Sequence, residues 1–194
     1  MSAKKLAFAA VFMLSAAWPA AAQVKIAQSA EQIAVEIDGK PFTVFYIGGK
    51  DLNRPYLHPI RAASGKIVNR SFPAGQVPGE TIDHPHHAGL FYGHGDVNGF
   101  NYWAIQNVPP AASEAPNPMM GRIVLQRVVS VKSGTESGVV DTVFNWLKPD
   151  GWKWMVKLSI HPRTDKAVPL CVCGPTTTTR GWASRRAEVG WCAP

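Results

Sequence analysis

Alternating apolar and polar residues dominate the middle of the chain and predict β-strands. In residues 33–37 every second side chain is apolar, and the following Asp38-Gly39 pair is typical of a tight hairpin turn. A returning strand is then predicted over residues 42–47. Residues 152–160 alternate in the same way, which predicts a strand with one apolar face.

The remaining segments fit the same all-β pattern. Further strands are predicted at residues 56–61, 66–70, 121–132 and 139–147, with a turn at 148–151. No segment combines a helical apolar period with helix caps. Short strands separated by turns predict an antiparallel sandwich or barrel, and we expect a single-domain antiparallel β-sandwich. The proline-rich residues 108–119 are expected to form a surface connection, with a flap beside the site as the alternative.

The first 22 residues have the pattern of a secretory signal peptide. Lys4 and Lys5 precede a short apolar run, and three alanines at 20–22 offer a small-residue cleavage site. No later segment is long and apolar enough to span a bilayer. We therefore expect a periplasmic or secreted protein with no stable membrane insertion after cleavage of the signal.

The last part of the chain has a different composition. From residue 161 to 194 the alternation stops, and all three cysteines (Cys171, Cys173 and Cys192) lie in this segment. The odd number leaves one thiol unpaired, and no second cysteine pair stands at the spacing of a zinc site. We expect a β domain over residues 23–160 and an atypical tail over 161–194. The tail is either disordered or translated out of frame, and the frame error is favoured.

The formal net charge of +7 would suit a nucleic-acid partner, but its location argues against one. The excess of lysine and arginine lies at the two ends of the chain, and the β domain has no basic stripe interleaved with aromatics. The charge distribution therefore predicts no nucleic-acid partner. The histidines and aromatic residues of the segment 83–103 favour a small-molecule or glycan substrate instead.

Residues 83–102 carry the candidate chemistry, because four of the six histidines lie there. The candidate catalytic residues are Asp83, His84, His86, His87 and His94. A histidine with a pKa near neutrality serves as a general acid or base, and Asp83 or Asp96 would fix the tautomer of a partner imidazole. If the segment is extended, His84 and His86 point to one face and His87 to the other.

Two other interpretations use the same residues. His84, His86 and His94 form a candidate site for a divalent transition metal, since zinc, copper and iron all accept imidazole ligands. The segment lacks the glutamate of a cupin-type site. Alternatively, histidines and aspartates in a glycine-rich loop are held in turn hydrogen bonds and have no chemical role.

Candidate substrate-binding residues surround the histidines in sequence. Arginines are suited to anchoring carboxylates or other polar groups of a substrate, and exposed aromatic rings to stacking on sugars. The candidates are Arg54, Arg61, Tyr92, Asp96, Asn98 and Trp103, with Arg70, Phe100 and Tyr102 as further possibilities.

Several of these residues also carry a family resemblance. The motifs are Arg54-Pro-Tyr-Leu-His-Pro-Ile-Arg61, Pro78-Gly-Glu80, the histidine run from 83 to 91, His94-Gly-Asp-Val-Asn-Gly99 and Trp103. In their order and spacing they resemble the bacterial PmoA-like family, labelled "methane oxygenase PmoA", from about Gln32 to Trp152. The resemblance implies an exported β protein encoded near sugar-degrading enzymes. It also implies further C-terminal strands that this chain lacks, and hence an incomplete sandwich.

Three functions follow as expectations. The first is a carbohydrate-related enzyme that uses the His/Asp cluster for acid/base chemistry. The second is a metal-dependent oxidoreductase, as the family label suggests. The third is a non-catalytic sugar-binding module.

Overall fold

The computed structural model describes residues 23–105, 117–150, 153–162 and 170–173. The predicted signal peptide, most of the 108–119 connection and most of the 161–194 tail lie outside these residues. Within them the strands are β1 (Gln23–Gln28), β2 (Gln32–Ile37), β3 (Lys40–Tyr46), β4 (Tyr56–Leu57), β5 (Arg122–Lys132), β6 (Gly134–Thr135), β7 (Val139–Leu147), β8 (Lys153–Pro162) and β9 (Leu170–Cys173). The described part of the chain contains no helix, which confirms the all-β prediction.

The strands form two antiparallel sheets. The first has the order β4-β3-β2-β1-β6 and the second the order β5-β7-β8-β9. The β2–β3 hairpin closes where Ile37 pairs with Lys40, and both Asp38 (φ 52°) and Gly39 (φ 71°) have positive φ. A two-residue turn with both central residues left-handed matches the twist of the strands it joins. The predicted turn is therefore present.

Apolar side chains from both sheets share one core. Ile33 and Phe45 enter it from the first sheet, and Val140, Phe144 and Ile160 enter it from the second. The Phe45 and Phe144 rings meet edge-on across the interface, with centroids 6.1 Å apart and planes at 67°. Two sheets that bury their inner faces against each other form a β-sandwich, as predicted.

Two predicted strands, at 56–61 and 66–70, are shorter or absent. The first is reduced to β4 because Pro59 has no N–H to donate to a ladder. Residues 66–70 form only one isolated bridge, between Arg61 and Ile67. The Asn69 side chain supplements the few backbone bonds there, since it accepts from the Ile60 N–H at 2.8 Å and donates to the Leu57 carbonyl at 3.1 Å.

Three strands were not predicted from the sequence. β1 begins directly after the predicted signal peptide, and β6 is too short for a periodic pattern. β9 lies inside the segment expected to be atypical and pairs with the end of β8, so regular structure continues beyond residue 160. The rest of the tail lies outside the described residues, and the frame error stays a prediction.

Tyr102 anchors the long connection between β4 and β5 in the core. Its side chain is fully buried, and its ring lies 4.8 Å from that of Trp146. Gly121 lies against this ring so closely that a Cβ atom at that position would overlap it.

We predict that Gly121→Ala destabilises the protein by about 1–3 kcal/mol, the usual cost of overpacking a core. Urea denaturation provides the measurement. Gly95→Ala is the matched control, because a Cβ atom there meets nothing within 4 Å. Equal unfolding midpoints for the two variants would contradict the described packing.

Candidate active site

The histidine segment is attached to the edge of the first sheet. Leu57 in β4 and Leu90 exchange two backbone hydrogen bonds, of 2.8 and 2.9 Å. Gly89 makes this approach possible, because its φ is +58° and a Cβ atom would overlap the Leu57 carbonyl. Ala88 is buried beside it. The histidines therefore sit on a segment fixed to the sandwich.

Three imidazoles pack against one another just before this attachment point. The ring centroids of His86 and His87 are 4.4 Å apart, those of His84 and His87 are 5.1 Å apart, and those of His84 and His86 are 5.6 Å apart. The segment is not extended: His84 has a φ of 52°, and its carbonyl accepts from the His87 N–H at 2.9 Å. This turn brings His87 next to the other two, which corrects the expectation of opposite faces. We call these three residues the histidine cluster.

Asp83 joins the histidine cluster through His84. Its Oδ2 lies 2.8 Å from the His84 Nδ1. Its Oδ1 accepts from the Thr81 hydroxyl at 2.7 Å and from both terminal nitrogens of Arg70 at 3.1 Å. The Thr81 hydroxyl, followed by His84 and Arg70, lowers the pKa of the Asp83 carboxyl to about 2. The carboxylate is therefore ionised and held in one orientation.

Arg70 also fixes the backbone around Asp83. It donates to the carbonyls of Thr81, at 2.9 Å, and of Asp83 itself. Its Nε donates to the Phe72 carbonyl at 3.2 Å. Glu80 supports the same region, because its carboxylate accepts from two neighbouring backbone N–H groups, of Ser71 at 2.6 Å and of Phe72 at 3.2 Å. Arg70 therefore fixes the position of the Asp83 carboxylate that contacts His84.

Arg54 is buried and connects the two chain segments that carry His86 and Trp103. Its side chain is 0% exposed, and its guanidinium donates to the carbonyls of His86 and Trp103. The guanidinium carbon lies 3.4 Å from the centroid of the Phe91 ring. Burial lowers the pKa of Arg54 to about 9, so the side chain is still charged at neutral pH. The expectation that Arg54 anchors substrate is thus corrected: it binds the backbone of the protein.

The electrostatics of His86 and His87 favour neutral imidazoles. Burial lowers the pKa of each, and the nearby charges of Arg54 and Arg70 lower both further. For His87 the charge of Asp83 acts in the opposite direction. His58, which is buried at the end of β4, also has a pKa lowered chiefly by burial.

His94, Asp96 and Asn98 lie in a separate turn. The His94 Nδ1 contacts the backbone of Asp96, and the Asp96 carboxylate accepts from the Gly99 N–H at 2.8 Å. Asn98 (φ 53°) and Gly99 (φ 84°) form the two-residue turn of a small hairpin. The side chains of His94 and Asp96 therefore make the hydrogen bonds of a turn. This agrees with the interpretation in which polar residues of a glycine-rich loop have no chemical role.

The structure does not assemble the predicted metal ligands. The described ring contacts link His84 and His86 to His87, and none of them includes His94. Among the described residues, no group of three or more His, Cys, Asp or Glu side chains is placed to hold a metal ion. A metal site made of His84, His86 and His94 therefore gains no support from this geometry.

Most of the predicted aromatic and basic binding residues serve the fold. Tyr92 packs on Trp146 with centroids 5.7 Å apart, and Tyr102 is in the core, where burial raises its pKa to about 12. Phe100 lies under the Lys148 ammonium, 4.5 Å from it. Arg61 donates to the Gly65 carbonyl at 3.2 Å, within a local turn.

Trp103 is the exception, since it is 44% exposed and lies beside the cluster. Its ring centroid is 5.9 Å from that of His87 and 5.2 Å from that of Phe91. It is therefore the one predicted aromatic residue that offers an open ring next to the histidines.

Sequence reasoning overlooked Thr81, although it makes the largest contribution to the low pKa of Asp83. A hydroxyl residue two positions before an aspartate is the available signal, because Ser and Thr side chains bond locally to neighbouring polar groups.

Comparisons with known proteins place the chain in a family. The sequence model of a family of unknown function (DUF6807) matches residues 32–158. The chain belongs to this family. The DUF6807 region contains both the histidine cluster and the turn at His94. No curated protein and no solved structure matches the chain. The described part of the chain contains no helix that is long and apolar enough to cross a membrane.

The brace made by Arg54 is testable by removing its charge. We predict that Arg54→Met costs about 2–6 kcal/mol, because two carbonyls lose their donor at about 1–3 kcal/mol each. Chemical denaturation measures the loss. Arg61→Met is the control and is expected to change stability by less than about 0.5 kcal/mol, as surface substitutions usually do. Similar losses of stability in both variants would show that the contacts of Arg54 contribute no more to the fold than those of Arg61.

The role of the Thr81 hydroxyl is testable by titration. Because this hydroxyl bonds to the ionised Asp83, Thr81→Val is expected to raise the pKa of that carboxyl from about 2 toward its ordinary value. The ionised form would then be lost at a higher pH as acid is added. Carbon NMR of the side-chain carboxyl follows the change. Thr81→Ser keeps the hydroxyl and should keep the low pKa; a raised pKa in that variant would refute the assignment.

Proposed function

We propose that this protein is an exported, carbohydrate-related enzyme in which Asp83 and His84 perform acid/base chemistry. The observation that carries the proposal is the 2.8 Å contact between the Asp83 carboxylate and the His84 Nδ1. Support for export comes from the predicted signal peptide. Support for a carbohydrate substrate comes from the resemblance to PmoA-like proteins and from the open Trp103 ring.

The pair has the arrangement that acid/base catalysis needs. The carboxylate accepts from Nδ1–H, so the neutral imidazole presents its Nε2 lone pair. When Nε2 takes a proton from a substrate hydroxyl or carbon, the adjacent carboxylate stabilises the imidazolium that forms. The same imidazolium then returns the proton to a leaving oxygen.

The surroundings keep this pair ready. Thr81 and Arg70 hold the Asp83 carboxylate in place, so no rearrangement is needed when charge develops on His84. Both side chains of the pair are more than half exposed, at 55% and 54%. A substrate therefore reaches His84 without displacing any part of the fold.

Trp103 and His87 supply a surface for the substrate. The exposed indole stands nearly perpendicular to the His87 ring, at 88°. An apolar sugar face resting on the indole would place its hydroxyl groups toward the histidines. Aromatic surfaces with a few polar groups beside them are the usual composition of ligand sites.

The test separates a catalytic pair from a structural one. His84→Asn keeps an amide donor for Asp83 and suits the left-handed backbone at this position, but it removes Nε2. Asp83→Asn removes the charge that stabilises the imidazolium. In a screen of the purified protein against glycans and glycosides, followed by mass spectrometry of products, we expect each variant to lower kcat by about 10²–10⁴-fold.

Asp38→Asn is the matched control. It removes one carboxylate charge, as Asp83→Asn does, and it changes a residue with positive φ, as His84→Asn does, but it lies in the β2–β3 turn. It should keep the native kcat. Undiminished turnover in His84→Asn would refute the assignment. Glycan binding by the native protein without turnover of any glycan would favour the sugar-binding module instead.

A further inference from the structure

The neighbourhood of His86 and His87 contains more positive than negative charge. Among the described residues, Arg54, Arg70 and the third imidazole, His84, act on both rings, and the carboxylate of Asp83 acts on His87. The two positive charges of the arginines therefore exceed the single negative charge of the carboxylate even when all three imidazoles are neutral.

The single carboxylate is already in use. Asp83 accepts from Thr81 and Arg70 through one oxygen and contacts His84 through the other, so both of its oxygens already have partners. These two imidazoles are half-buried, and their ring centroids are 4.4 Å apart. Coulomb interactions are stronger at a partly desolvated position than in open water. An anion arriving here meets a positive potential and several nitrogen donors.

We propose that His86 and His87 bind the carboxylate of an acidic sugar, so that the substrate class is glycuronates and not neutral sugars. The sugar part of this inference rests on the proposed function. Trp103 connects the two parts, because its exposed ring lies 5.9 Å from that of His87. A pyranose ring on the indole would bring its carboxylate to the two imidazoles and its neighbouring carbons toward His84.

The proposed contact predicts linkage between binding and protons. In the free protein both imidazoles have pKa values below the ordinary value for histidine, so they are neutral at pH 7. A bound carboxylate favours the protonated form and raises those pKa values. Affinity is then highest below the lowered pKa of the free protein. It falls as the pH rises toward the pKa of the complex, and binding near neutrality takes up protons.

The experiment compares D-glucuronate, D-glucose and inorganic phosphate by isothermal titration calorimetry between pH 5 and 8. We expect glucuronate to bind at least about tenfold more tightly than glucose at pH 5, the gain from one charge-assisted contact. The advantage should shrink by about the same factor by pH 8. Proton NMR of the native protein should show the His86 and His87 ring signals shifting as glucuronate is added.

The double variant His86→Gln, His87→Gln keeps polar side chains but cannot carry charge. It should bind glucuronate and glucose equally, while the native pattern persists in the control Asp38→Asn. Circular dichroism checks that the double variant is folded, and the NMR shifts decide the matter if it is not. Equal affinity of the native protein for both sugars, or no binding of either, would overturn the inference. Phosphate binding as tightly as glucuronate would overturn the acidic-sugar assignment.

The outcome is independent of turnover. His84→Asn should keep the preference for glucuronate, because the proposed carboxylate contact lies on the other two imidazoles. Tight binding of glucuronate without conversion in any assay would refute the proposed enzyme and leave the binding site standing. Turnover of neutral glycans only would support the enzyme and refute the acidic-sugar class.

Discussion

The arrangement of the site depends on one buried cation. Arg54 donates to the carbonyl of His86 in one segment and to that of Trp103 in another, and its flat face lies on Phe91. Only guanidinium has the planar, forked geometry that binds two acceptors and a ring at once. A charge without contact with water is costly, and each of these contacts offsets part of that cost. The two segments are thereby held at a fixed separation, and the exposed indole stays beside the imidazoles.

A second arginine performs a related task at the surface. Arg70 binds the Asp83 carboxylate and the backbone carbonyls of Thr81 and Asp83, whereas Arg54 donates to the backbone carbonyls of His86 and Trp103. The two arginines thus fix the positions of the backbone and of the Asp83 carboxylate around the three imidazoles. Burial is the main cause of the lowered pKa values of His86 and His87, and the charges of the same two arginines lower them further.

The sequence predicted the sandwich well, because its signals are local. The alternation in β2 and β8 and the Asp38-Gly39 turn each specify structure within a few residues. It offered Asp83 or Asp96 as the partner of an imidazole, and of these Asp83 contacts His84. It did not predict the turn at His84, where φ is 52° and the His84 carbonyl accepts from the His87 N–H. The burial of Arg54 could not be predicted from the local sequence either, because it depends on contacts with His86 and Trp103, which are 32 and 49 positions away.

The turn at Asn98-Gly99 has a local signal, because this dipeptide is among the strongest short signals for a hairpin. The structure contains this hairpin turn, at residues that the sequence also offers as candidates for binding. In a glycine-rich segment the requirements of the backbone have to be satisfied before polar side chains are available for a ligand.

The backbone hydrogen bond from the Ile123 N–H to the Asn53 carbonyl, of 2.8 Å, joins the two ends of the excursion that carries the site. Asn53 lies just before β4 of the first sheet and Ile123 lies in β5 of the second, so this bond closes a long loop that contains both β4 and the site. Lengthening such a loop adds little closure entropy, since that cost grows only with the logarithm of its length. Insertions between β4 and β5, at positions outside the core, are therefore expected to cost the two sheets little stability.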